Sequence, residues 1–156
     1  MRFYVIAVGE RVPQWVVAGY EEFARRLPAN TPLRLIEVAA SKRGKGVDLR
    51  RAVADEGERT LSQIPRGAHV IALDEHGLSW STSELAGQIE QWRHLGGDVA
   101  FLIGGPDGLA AVCRERAARV WSLSALTLPH ALVRVLVAEQ LYRATSLIAG
   151  HPYHRE

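Results

Sequence analysis

Val99-Ala100-Phe101-Leu102-Ile103, followed at once by Gly104-Gly105-Pro106-Asp107-Gly108, is the stretch that decides the fold. Five consecutive apolar residues predict a short strand covered on both faces, as interior strands of parallel sheets are. The three glycines after it let the backbone approach a ligand closely, at the end of a strand where open α/β sheets bind ligands. A tight strand-to-helix turn explains these glycines equally well, so the loop alone does not establish a site.

Strands and helices alternate on both sides of this stretch. Period-2 and apolar runs predict strands at 3–9, 33–38, 69–74, 99–103 and 120–122. Helical spacing predicts helices at 13–27, with Trp15 on its buried face, at 48–64 and, after a turn through Gly77, at 83–95. A short helix ending near 118 and a long helix at 130–149 follow. Asp48 is the expected N-cap of the second helix. The alternation predicts an α/β fold, with a mainly parallel sheet and helices on both faces.

Length and composition are those of an ordinary globular chain. The 156 residues fit one compact domain, spanning 1–156, and the hydrophobic and charged shares of 47% and 23% lie near globular averages. No apolar run reaches the roughly 18 residues of a membrane span, and we expect a cytoplasmic protein without a membrane partner. The single cysteine, Cys113, is predicted to be buried on a helix face.

Charge and motif patterns limit the kinds of functional site that we expect. A net charge of +2 is too small to indicate nucleic acid by itself, but Lys42-Arg43-Gly44-Lys45-Gly46 concentrates basic residues that suit phosphates. A solvated surface loop is the alternative. The six histidines are scattered, so no metal site is expected, and no nucleophile-elbow motif is present.

Three strand exits are the candidate binding loops, after Leu73, after Ile103 and after Ser122. The glycine loop matches neither a dinucleotide-binding nor a phosphate-binding glycine motif. The segment 122–130 is longer than a minimal connection and offers hydroxyls and backbone groups that suit a heterocycle. Helix capping by Thr127, with Pro129 in the first turn, is the alternative explanation for that segment.

The last helix and the tail carry a second set of signals. The helix 131–148 is apolar on more than one side, which favours packing on the sheet with one side and on a partner subunit with the other; a deep core position is the alternative. Glu139 and Arg143 lie four residues apart, as weak surface ion pairs commonly do. The ending 150–156 gathers two histidines, a tyrosine and an arginine, which are residue types that stack on bases, bind phosphates and move protons.

Taken in this order, these motifs resemble one family. The ribosomal large subunit methyltransferase H family of the SPOUT superfamily has similar motifs: the stretch 102–108 with its glycine loop, the run 122–130, the helix 134–144 and the ending 151–156. Ala7-Val8-Gly9 and Lys42-Arg43-Gly44-Lys45 match as well, so the resemblance spans the whole chain.

The resemblance implies an activity, a cofactor and partners. It implies a homodimer that transfers a methyl group from S-adenosyl-L-methionine to N3 of pseudouridine 1915 of 23S rRNA in assembled ribosomes. It also implies a C-terminal trefoil knot, which periodicity does not predict. By motif, the cofactor-binding residues are Leu73, Gly104, Gly105, Leu123, Ser124, Ala125, Leu126, Thr127 and Leu128.

Methyl transfer from a sulfonium needs alignment and removal of the N3 proton rather than a protein nucleophile. His130, Glu139 and His154 are the candidate proton acceptors, with water as a competitor. The expected RNA-binding residues are Lys42, Arg43, Lys45, Arg143, Tyr153, His154 and Arg155. A catalytically inactive ribosome-binding protein of the same fold and a flavodoxin-like nucleotide sensor are the alternatives, but the first is expected to lose the glycine loop or the tail and the second gives no reason for the basic loop.

Overall fold

A computed structural model describes residues 1–155, with the backbone alone at His154, and the predicted alternation of strands and helices is confirmed over them. The strands are β1 (Phe3–Val8), β2 (Leu33–Val38), β3 (His69–Ser79), β4 (Val99–Ile103) and β5 (Arg119–Ser122). The helices are α1 (Gln14–Ala24), α2 (Leu49–Ser62), α3 (Thr82–Leu95), α4 (Ala111–Arg116) and α5 (His130–Ile148), followed by a 3₁₀ turn, Pro152–Arg155. Within residues 1–155, none of the helices combines the length and the apolar character that a bilayer span requires.

The five strands form one parallel sheet in the order β2-β1-β4-β3-β5. β4 lies in the middle, with Phe101 opposite Val5 of β1 and Ile71 of β3, and all five of its residues are buried, as predicted. Because the strands run in the same direction, the loops that leave their carboxyl ends meet at one edge of the sheet.

Helices cover both faces of the sheet, which confirms the predicted class. Alternate residues of β1 point to opposite faces, so Val5 packs with α1, α3 and α5, and Ile6 packs with α2 and α4. Cys113 of α4 is fully buried on the sheet face that α2 and α4 cover, as predicted.

Gly57 lies where α2 crosses α4. A Cβ added at Gly57 would lie only 2.4 Å from the Cβ of Ala110, which a real side chain cannot tolerate. Glycine lowers helix propensity by about 1 kcal/mol, and here it permits the close approach of two elements. Asp48 caps the start of α2 as expected, because its side chain accepts hydrogen bonds from the backbone of Arg50 and Arg51.

Two sequence predictions are wrong. The strand predicted to end at Asp74, with a turn through Gly77, continues to Ser79, because Leu78 pairs with Trp121 of β5 after a shift in register. A Cβ at Gly77 would lie 2.6 Å from the carbonyl oxygen of Val120, so this glycine permits strand pairing rather than a turn. Trp15, predicted to lie on the buried face of α1, is 61% exposed.

Candidate functional site

A cleft of about 1190 Å³ opens beyond the carboxyl ends of β4 and β5, beside the part of β3 that follows Leu73. These strands are neighbours in the sheet, so the three predicted exits, after Leu73, Ile103 and Ser122, meet there. Every residue predicted to bind the cofactor lines the cleft except Ala125: Leu73, Gly104, Gly105, Leu123, Ser124, Leu126, Thr127 and Leu128.

The glycine loop, residues 104–108, folds back on itself at the centre of the cleft. Gly105 and Gly108 form an isolated bridge, and the Gly108 amide donates to the Gly105 carbonyl at 3.0 Å. A Cβ at Gly104 would lie 2.3 Å from the carbonyl carbon of Gly108, and Gly108 has a φ of +84°. The turn therefore needs glycine at both positions, and at Gly104 and Gly108 it presents backbone to the cleft.

The connecting loop, residues 123–129, forms the opposite wall. The Ser124 hydroxyl accepts from the Leu126 amide at 3.0 Å, and the Ser122 hydroxyl donates to the Ser124 carbonyl at 2.9 Å. Thr127 does not cap α5: the N-cap is Pro129, without a side-chain bond, and the Thr127 hydroxyl instead donates to Glu75 at 2.6 Å. The capping alternative for Thr127 is thus wrong.

The third wall is the β3 bulge, residues 74–77, at the predicted exit after Leu73, but the sequence analysis named no site residue within it. Asp74, Glu75 and His76 all line the cleft. The Asp74 carboxylate accepts from the His76 backbone at 2.9 Å and lies 3.6 Å from the Arg114 guanidinium. Three titratable residues in a row, directly after an apolar strand, were the available signal for this wall.

His130 is the first residue of α5 and lines the cleft. Burial, and then the positive charge of Arg134 one turn later, hold the pKa of His130 below its ordinary value. Its imidazole is therefore neutral near pH 7 and able to accept a proton.

Arg134 is almost fully buried and ties α5 to two strands. Its guanidinium donates to the Glu37 carboxylate at 3.0 Å and to the Gly9 carbonyl at 3.3 Å, at the ends of β2 and β1. This anchoring fixes the position of the first turns of α5, and with them His130.

Glu139 is the centre of a separate cluster further along α5. Its carboxylate accepts from Arg143 at 2.8 Å, from Gln140 at 2.7 Å and from the Tyr153 hydroxyl at 3.2 Å. The Arg143 guanidinium lies 4.7 Å from the centre of the Tyr153 ring, and burial followed by the Glu139 charge raises the pKa of Tyr153. The tail thus folds back on its own helix. Arg155 is exposed, and the predicted roles of His154 fall on a side chain outside the described residues.

The structure does not bring His130 and Glu139, the two candidate proton acceptors with described side chains, together within one chain. His130 lies at the start of α5, and Glu139 follows it by nine residues, which corresponds to about 13 Å along a helix axis. Glu139 and Tyr153 are absent from the walls of the cleft, whereas His130 is part of them.

The basic loop, residues 41–46, contacts the glycine loop through Arg43. Lys42 and Lys45 are exposed, whereas the Arg43 guanidinium binds Glu56 at 2.9 Å and Asp107 of the glycine loop at 2.8 Å. The three predicted phosphate contacts therefore differ: two project into solvent, and the third is held between carboxylates.

Comparison with known proteins gives a consistent result along the whole sequence. Residues 1–154 match a family model described as predicted SPOUT methyltransferase. The chain is 58% identical over 156 residues to the ribosomal RNA large subunit methyltransferase H of Thioalkalivibrio sulfidiphilus, covering 100% of both chains. It is 54% identical over 155 residues to the protein of that name from Methylococcus capsulatus, covering 99% of this chain and 100% of the relative.

Solved structures share the fold at low identity. A probable methyltransferase from Bordetella pertussis superposes with a TM-score of 0.55 at 19% identity, over 91% of this chain and 95% of that one. A probable methylase family protein from Haemophilus influenzae gives 0.53 at 16% identity, over 97% of this chain and 69% of the other.

Proposed function

Because this chain belongs to the ribosomal RNA large subunit methyltransferase H family of SPOUT methyltransferases, we propose that it methylates N3 of pseudouridine 1915 of 23S rRNA in assembled ribosomes. The methyl donor in this proposal is S-adenosyl-L-methionine. The observation that carries it is the cleft, because two of its walls are the glycine loop and the connecting loop, whose sequences resemble the family.

The residues of the cleft fit this donor. Leu73, Ile103 and Leu128 provide apolar walls for an adenine ring, and the glycine loop and Ser124 provide polar groups for its rim. The Asp74 and Glu75 carboxylates favour a ligand that carries positive charge, as a sulfonium and an ammonium do. The cleft volume of about 1190 Å³ is ample for a ligand of that size.

In the proposed reaction the protein aligns the two reactants and removes one proton. The bound donor supplies an electrophilic methyl group on a positively charged sulfur. The loops of the cleft hold the donor so that N3 of the base approaches in line, which removes much of the entropic cost of the encounter. An imidazole nitrogen of neutral His130 accepts the N3 proton.

Two sets of residues are proposed to bind the ribosome. Lys42 and Lys45 on the basic loop contact phosphates. Arg143, Tyr153, His154 and Arg155 in and beside the tail hold the RNA near the reacting base.

We also propose that the enzyme is a homodimer in which each site pairs the cleft of one subunit with the tail of the other. The distance along α5 between His130 and the Glu139 cluster supports this, because one chain alone leaves the tail remote from the cleft. The half-buried apolar residues Leu132 and Leu136 of α5 offer a surface for the partner. Deleting 151–156 should abolish methylation while leaving cofactor affinity unchanged, and full activity after that deletion would disprove the composite site.

A C-terminal trefoil knot is part of the same proposal. Its support is that the chain leaves β4, pairs as β5 with the far side of β3, and places the connecting loop against the β3 bulge. A crystal structure traced through 104–130 tests it, since an unknotted path of this segment would contradict the proposal.

Calorimetry with S-adenosylmethionine separates the enzyme from its alternatives. The proposed function predicts saturable binding that S-adenosylhomocysteine competes for. An inactive ribosome-binding protein would bind ribosomes without binding either compound, and that outcome would overturn the enzymatic proposal.

A further inference from the structure

Arg43 is unlike its basic neighbours, because three of its N–H groups are already used inside the protein. Its Nε donates to Asp107 at 2.8 Å, Nη2 donates to Glu56 at 2.9 Å and Nη1 donates to the Ser41 carbonyl at 2.9 Å. The Arg43 side chain is 28% exposed, whereas Lys42 and Lys45 are exposed residues. The positive charge of Arg43 is offset by two carboxylates, so it adds little attraction for phosphate.

Glu56 fixes the position of the Arg43 guanidinium. Its side chain is only 3% exposed, it projects from α2, and its second oxygen accepts from the Ser41 amide at 2.9 Å. A buried carboxylate is costly unless it is paired and hydrogen-bonded, so the geometry of Glu56 and Arg43 is strongly constrained.

Asp107 connects the Arg43–Glu56 pair to the cleft. It belongs to the glycine loop and lines the cofactor cleft, and its carboxylate binds Arg43. Asp107 and Arg43 are separated by 64 residues in the sequence, so this hydrogen bond connects the glycine loop to the basic loop.

In place of the phosphate contact expected from the sequence, we propose that Arg43 is a positioning residue that fixes the basic loop to the wall of the cofactor cleft. A ligand in the cleft orders the glycine loop, and Asp107 and Arg43 then hold Lys42 and Lys45 in place for rRNA. Binding of cofactor and binding of rRNA are therefore linked, and by linkage the effect is reciprocal. This inference rests on the proposed function, since it assumes both ligands.

The test measures the affinity of the full-length enzyme for assembled ribosomes, with and without saturating S-adenosylhomocysteine. In the wild type we expect the cofactor product to raise this affinity about tenfold, within the usual range of such coupling. Arg43→Lys keeps the charge but cannot reach both carboxylates in the same planar geometry, so the factor should fall to about one. Asp107→Asn, which leaves the buried Glu56 paired, should have the same effect, and the double variant should lose no more than either single variant.

Arg59→Lys is the matched control. The Arg59 guanidinium holds the same loop, through the Ala39 carbonyl at 2.8 Å and the Ser41 hydroxyl at 2.7 Å, but it has no contact with the glycine loop. The same chemical change at Arg59 should leave the coupling factor at its wild-type value.

Salt dependence separates positioning from phosphate contact. Lys42→Gln should lower the slope of log affinity against log salt by about 0.7–0.9, the value for one phosphate contact. Arg43→Gln, measured without S-adenosylhomocysteine so that the two lysines are not yet held in place, should leave that slope unchanged.

A reduced slope in Arg43→Gln, or wild-type coupling in Arg43→Lys, would overturn the inference. A wild type that binds both ligands without coupling would overturn it too, while leaving the proposed function intact. A wild type that binds no S-adenosylhomocysteine would overturn the proposed function itself.

Discussion

The Glu75 carboxylate accepts a 2.6 Å hydrogen bond from the Thr127 hydroxyl, and this contact joins two walls of the cleft. Glu75 lies in the β3 bulge and Thr127 lies in the connecting loop, 52 residues later. The bulge exists because β3 continues past Leu73 to pair again with β5 at Leu78. The shape of the cleft thus depends on an irregularity in strand pairing.

Replacing Thr127 with valine should weaken cofactor binding. The change removes the hydroxyl and keeps the side-chain shape, and a net hydrogen bond contributes about 0.5–1.5 kcal/mol, or roughly two- to twelvefold in affinity. Calorimetric titration with S-adenosylmethionine measures the loss. Ser62→Ala is a suitable control, because the Ser62 hydroxyl donates only within α2, to the Arg59 carbonyl. Equal affinities for the wild type and Thr127→Val would show that the contact does not shape the cleft.

Gly104→Ala should destabilise the fold and remove cofactor binding together. The added Cβ would lie 2.3 Å from the Gly108 carbonyl carbon, so the glycine loop must move. We expect a loss of about 2 kcal/mol or more from overpacking, seen as a fall in Tm of roughly 4 °C or more. Gly87→Ala on α3 is the matched control: nothing lies within 4 Å of its added Cβ, and the helix should gain about 0.5–1 kcal/mol. A Gly104→Ala variant with wild-type Tm and affinity contradicts the assigned geometry.

The pH dependence of methylation should report on His130. Protonated imidazole cannot accept a proton, so activity falls as the pH drops through the pKa of His130. Burial, aided by Arg134, holds this pKa below its ordinary value, and activity should therefore persist to lower pH than an unperturbed histidine would allow.

His130→Gln should lower kcat by about 100-fold or more and remove this acid limb from the kcat profile. His94→Gln, on the exposed surface of α3, should keep both the rate and the profile. An acid limb that survives in His130→Gln would assign the proton to another group or to water.

Mixing two inactive variants should restore activity if the site is shared between subunits. One variant carries His130→Gln in the cleft, and the other lacks residues 151–156. Random exchange makes half of the dimers mixed, each with one intact site of two, so about a quarter of wild-type activity should return. Activity that stays at the level of the separate variants would place cleft and tail in the same chain.

Local patterns predicted most of the fold. The apolar run 99–103 gave an interior strand because the signal for burial on both faces is contained in five adjacent residues. Asp48 was predictable as an N-cap because capping depends on residues two and three positions away. The cleft followed from strand exits at one edge of a parallel sheet, although the identity of its ligand came from resemblance alone.

Contacts between distant residues were not predictable in this way. Leu78 belongs to β3 only because Trp121 pairs with it, so His76 and Gly77 looked like a turn when taken alone. The hydrogen bonds of Arg43 to Glu56 and Asp107 could not be predicted from local sequence, because these partners are 13 and 64 residues away. Tertiary context overrides local preference at such positions.

The most direct test of the proposed function is methyl transfer itself. The enzyme is incubated with radiolabelled S-adenosylmethionine and either assembled ribosomes or protein-free 23S rRNA, and the label is mapped to a nucleotide. We expect incorporation at N3 of pseudouridine 1915 in ribosomes and far less in free rRNA. Absence of label in ribosomes, or label at another nucleotide, would contradict the account.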